Sequence, residues 1–93
     1  MKHKLEPELR KRLLQDPDAT VRLIVGVAGD LEARSAEAGE RGLIVQRQLR
    51  IVGALAVTAT GRQALALSKE PWVHWIEEDR EVRGFAPRGP DRR

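Results

Sequence analysis

The chain has 93 residues, 41% hydrophobic and 33% charged, enough for one small core and no second lobe. With no cysteine it carries no disulfide, no thiolate-bound zinc or iron–sulfur cluster and no thiol nucleophile. The formal net charge of +3 comes from the end of the chain, where residues 83–93 hold four Arg against Asp91 while 21–82 are nearly balanced.

Leu5, Leu9 and Leu13 recur every four residues, with Leu14 beside them and Pro7 near the start. That spacing predicts a short amphipathic helix over 5–15, proline being tolerated in a first turn. A helix of two to three turns is marginal alone, so its Leu stripe is expected to lie on the domain. Asp16-Pro17-Asp18 is a turn signal that ends it.

Val21 to Val27 is β-branched and alternates, with Val21, Leu23, Val25 and Val27 on one parity, which predicts a strand. Asp30 is placed to cap a helix over Leu31 to Glu40. That helix is Ala-rich with few large apolar residues, and its packing is expected to be thin. Gly39 and Gly42 bracket its end, where a left-handed residue is expected.

Leu43-Ile44-Val45 starts a second strand, and Ile51 to Ala59 reads as a third, with Gly53 suggesting a bulge or a close approach near its start. The turn between them has no two-residue hairpin signature. Thr60 with Gln63 makes a capping box, opening a helix with Ala64, Leu65 and Leu67 as its apolar members. Pro71 stops that helix, and Trp72 to Glu78 is the fourth strand.

The order is therefore strand, helix, strand, strand, helix, strand, with an extra N-terminal helix. It predicts an α+β fold of the ferredoxin-like, split βαβ kind. A four-stranded antiparallel sheet would carry two helices on one face and leave the other open. The expected divisions are 1–20 (helix and turn), 21–79 (the domain) and 80–93 (an extended tail). On the third strand Ala54, Ala56 and Thr58 share one parity, and Leu55 and Val57 the other.

Catalysis has no candidate residues. Ser35 and Ser68 fall on predicted helix interiors, and no G-x-S-x-G motif is present. His3 lies at the end of the chain and His74 on a strand. The acidic run Glu77-Glu78-Asp79, with Glu81 close by, lacks the spacing of a calcium loop, so it reads as a solvated charge run. The glycines make no phosphate-cradling loop between strand and helix. No enzyme activity, no cofactor and no metal are expected. The aromatics are Trp72, Trp75 and Phe85 alone, too few for the base-stacking platform of an RNA-binding sheet. A phosphate-binding domain would also place its basic residues on one folded face, so no nucleic-acid partner is expected. Nor is a membrane one, because no apolar run approaches spanning length.

The stretch Ile51 to Phe85, and Pro71 to Asp79 above all, resembles the second half of subtilisin-type propeptides, the inhibitor I9 family. A small-residue strand leads through a helix with a late Leu to Lys69-Glu-Pro-Trp-Val73, then to an apolar strand and Glu77-Glu-Asp79. The strand Val21 to Val27 is similar to the family's opening strand. The resemblance spans about residues 21–85, and the family's fold is the one the periodicities predict.

What the resemblance implies is a protease inhibitor with an open sheet face that docks on two parallel surface helices of a subtilisin-like serine protease. Glu77 and Asp79 match the acidic pair that caps those helices at their N-termini, where carboxylates meet unpaired N–H groups and a positive dipole end. Trp75 shares their strand parity. The tail then lies in the active-site cleft. Phe85 falls in the primary specificity pocket, Gly84 in the narrow position before it, Arg83 beside it and Val82 in the apolar pocket upstream. The chain continues eight residues past Phe85, where a dedicated inhibitor of this family usually stops.

The reading that follows is a propeptide-like inhibitor, and a folding chaperone in cis or trans, that is a monomer when free. Met1-Lys-His-Lys has no apolar run behind its charges, so no signal peptide is expected. A cytoplasmic location is expected, unless the chain is the excised propeptide of a secreted protease. The alternative is a ferredoxin-like interaction module whose open face homodimerises or regulates an unrelated partner. A basic-tailed nucleic-acid accessory is a third possibility.

Overall fold

A computed structural model describes residues 4–79. Pro7 opens helix α1 (Pro7–Gln15), its fixed φ suiting the first turn. Leu5, Leu9 and Leu13 are buried while Leu14 stays exposed. The Leu stripe thus lies on the domain, as its spacing predicts. Strand β1 (Thr20–Val27) follows, then helix α2 (Leu31–Glu40), whose Asp30 carboxylate accepts from Ala33 N at 3.0 Å. Gly42, just past its end, takes the left-handed φ of 91°.

Strands β2 (Ile44–Leu49) and β3 (Ala54–Thr60) form a hairpin. Helix α3 (Gly61–Leu67) starts on a complete capping box: Gln63 N donates to Thr60 Oγ1 at 3.1 Å, and Thr60 N to Gln63 Oε1 at 2.9 Å. Strand β4 (Val73–Glu78) ends the described part.

The fold is α+β: an open antiparallel sheet of four strands in the order β2-β3-β1-β4, with three helices. Leu23 and Val25 of β1 and Leu55 and Val57 of β3 point to one side of it. Leu9 and Leu13 of α1, Ala38 of α2 and Ala64 and Leu67 of α3 join them in one core. The opposite side carries no helix from the described residues.

Several boundaries differ from the sequence reading, each for a local reason. The first helix begins at Pro7 rather than at residue 5. Leu5 instead makes a parallel bridge with Ile76, and Ile76 N donates to Lys4 O at 2.7 Å. The third strand begins at Ala54, not Ile51, because residues 50–53 form the β2–β3 turn. Gly53, at φ 66°, belongs to that turn and not to a bulge. This leaves Ile51 and Val52 exposed at the hairpin tip despite their strand propensity. The second strand starts at Ile44, and the fourth at Val73, so Leu43 and Trp72 are buried just outside their strands. Ser68 caps α3 from its end rather than sitting inside it, its hydroxyl donating to Leu65 O at 2.6 Å.

Helix α2 buries little besides Ala38, as its composition predicts. A cation compensates. The Arg34 guanidinium lies 4.9 Å from the Trp72 ring centroid, and its Nε donates to Ala28 O at 2.8 Å.

Candidate functional site: the open sheet face

The open face is built from four strands by register, and its rows follow from the pairings. Leu49, Ala54, Gly26 and Trp75 form one row across the sheet; Arg47, Ala56, Ile24 and Glu77 form the next. In a third, Ile44 pairs with Thr58 and Thr58 with Arg22. Asp79 N donates to Arg22 O at 2.9 Å and so extends that row beyond the end of β4.

Both edge strands reach this arrangement through a bulge, a common device at sheet edges. In β4 the register steps from Gly26↔Trp75 to Val27↔Val73, so His74 is the extra residue. It stays exposed while Val73 turns into the core and Trp75 remains on the open face. In β2 the step lies between Val45 and Arg47. Gln46 is the extra residue, its amide donating to Thr58 Oγ1 at 3.3 Å. Without that step Arg47 and Leu49 would point into the core. Strict alternation along the sequence gives no signal for either bulge.

The face has a smooth middle and charged flanks. Ala54 and Ala56 have exposures of only 0% and 2%, and Gly26 is buried beneath the Trp75 indole. Trp75 is half-buried there and takes no part in the core, while Trp72, on the other side, does. Glu77 is exposed and Asp79 half-buried. Between Arg22, Arg47, Thr58 and Asp79 lies a depression of about 640 Å³. A second, of about 740 Å³, lies where α1 meets the end of β4, with Glu6, Glu8, Glu77, Glu78 and Asp79 around it. Arg12 of α1 forms an ion pair with Glu78 in that groove.

The structure thus brings Trp75, Glu77 and Asp79 to one face, together with Ala54, Ala56 and Thr58. Val82, Arg83, Gly84 and Phe85 lie outside the described residues. The sequence reading missed Arg47 and Leu49 as members of the face. Only the hairpin register reveals them.

Ser35 lies inside α2 and Ser68 at the end of α3, while His74 is exposed on β4, so the three belong to different elements. Among the described residues no group of three or more His, Cys, Asp or Glu is placed to hold a metal ion. No helix among them is long and apolar enough to cross a membrane. A comparison with protein-family models found no match, and a search of the curated proteins found none either.

Proposed function

We propose that the chain is a propeptide-like inhibitor, and a folding chaperone, of a subtilisin-family serine protease. Its open face docks on the protease surface and its C-terminal tail enters the active-site cleft. The observation that carries this reading is the placement of Glu77 and Asp79 at one flank of a face whose middle is Gly26, Ala54 and Ala56. Gly26, Ala54 and Ala56 are themselves buried, so a partner's helices would rest on the half-buried Trp75 indole that fills the space over Gly26. Carboxylates beside it can accept from the unpaired N–H groups at those helices' N-termini.

We infer with it that the domain is ferredoxin-like. The sheet order read from its other edge, β4-β1-β3-β2, and the β-α-β-β-α-β succession after α1 support that assignment. The resemblance over Pro71 to Asp79 supports the inhibitor reading.

Titration against a panel of subtilisin-type proteases tests it. Inhibition is expected at or below micromolar concentration for at least one of them. Glu77→Gln with Asp79→Asn is expected to weaken it by about tenfold or more, roughly 1.4 kcal/mol. Phe85→Asp is expected to weaken it at least as much, by placing a charge in an apolar pocket. Failure to inhibit any member of the panel overturns the reading.

A further inference from the structure

The open face carries a charge pattern that is complementary to itself. Arg47 and Glu77 occupy the two ends of one row, Arg47-Ala56-Ile24-Glu77, on opposite edge strands. Both are exposed, and neither has an ion-pair partner among the described residues. They stand about 14 Å apart, three strand spacings. That is too far for a pair within one chain, but it sets up two pairs between chains.

Two sheets packed face to face keep their strands within about 30° of each other. Two symmetric arrangements satisfy that. With the two-fold axis across the strands and on the Arg47 row, that row lies on its own copy and the flanking rows exchange, so Arg47 meets Arg47 while Glu77 meets Glu77. With the axis along the strands, β2 lies on β4 of the second copy and β3 on its β1. Arg47 then meets Glu77 twice, Leu49 meets Trp75 twice, and Ala56 meets Ile24 twice. The second arrangement matches the charged and apolar residues of these two rows, while in the third it sets Ile44 opposite Asp79. The first opposes like charges, which costs association energy.

We propose that the free chain covers its open face with a second copy of itself, in a two-fold dimer whose axis runs along the strands. Four strands of six to eight residues, paired over about six, make a face of roughly 19 by 20 Å. Two such faces fall short of the ~1,600 Å² total of a standard-size complex. The dimer is therefore weak, reversible and able to yield the face to a tighter partner. It goes beyond the protease reading and does not depend on it, although both use the same surface.

Sedimentation equilibrium over a hundredfold range of protein concentration tests the proposal on the full chain. A monomer–dimer equilibrium is expected. Arg47→Glu and Glu77→Arg are each expected to weaken association about tenfold or more, while the combined R47E/E77R chain regains it through reversed pairs. Circular dichroism of each variant confirms that it is folded. A chain that stays monomeric throughout, or single variants that associate like the parent, overturns the proposal, as does a double variant no better than the singles. Inhibition without dimerisation sinks the dimer alone, and dimerisation without inhibition sinks the protease reading alone.

Discussion

Trp75 lies flat against Gly26, so close that a methyl group on Gly26 would stand 2.2 Å from Trp75 Cε2. The two residues pair across β1 and β4. The missing side chain of one is the seat of the other. Gly26→Ala is expected to displace the indole and lower stability by about 1–3 kcal/mol, the range for overpacking a filled site. Urea denaturation followed by circular dichroism checks this, and a midpoint equal to the parent's contradicts it.

The N-terminal helix is expected to stabilise the domain chiefly through its buried stripe. Leu13 is 2% exposed and Leu14 57%, so neighbouring leucines separate burial from helix propensity. Leu13→Ala is expected to cost about 2–5 kcal/mol through lost burial and the cavity left behind. Leu14→Ala is expected to fall within about 0.5 kcal/mol of the parent. Equal midpoints for the two variants would show that α1 is not docked in solution.

Thr60 ends β3 and caps α3 within one residue. Thr60→Ala removes the hydroxyl that accepts from Gln63 N, at an expected cost of about 0.5–2 kcal/mol. Thr60→Ser keeps that hydroxyl and is expected to recover most of the loss. Thermal unfolding of the two variants side by side checks the order.

Arg34→Lys tests the anchor of α2. Lysine keeps the charge but loses the guanidinium contact over the Trp72 ring and the Nε bond to Ala28 O. A loss of about 1–2 kcal/mol is expected, the sum of a partly desolvated cation–π contact and one hydrogen bond. Because the guanidinium lies over the Trp72 ring, its indole fluorescence is expected to change as well; a spectrum and a midpoint both unchanged would contradict the anchor.

The sequence makes the elements legible wherever a local signal is strong. Val21 to Val27 alternates cleanly, Asp30 caps the helix it precedes, and the Thr60–Gln63 box begins α3 where it was placed. Boundaries failed where propensity and tertiary pairing disagree. Ile51 and Val52 favour a strand, yet β1 ends at Val27, whose N–H reaches only as far as Gly53 O. The open face was half legible. Trp75, Glu77 and Asp79 lie beyond the β4 bulge and share a parity that counting detects. Arg47 and Leu49 lie beyond the β2 bulge, where counting from Ile44 assigns them to the wrong side. Lys4 carried no signal at all, because its partners are backbone groups more than sixty residues away.

That lysine ties the beginning of the described chain to the strand that carries Trp75 and Glu77. Its carbonyl accepts from Ile76 N, and its ammonium donates to Glu70 O at 2.8 Å. Peeling residues 4–6 away therefore strips the outer edge of β4 and unclamps the loop before it in one event. The Ile76 N–H, capped by Lys4 O, is the amide whose exchange reports whether that segment is in place.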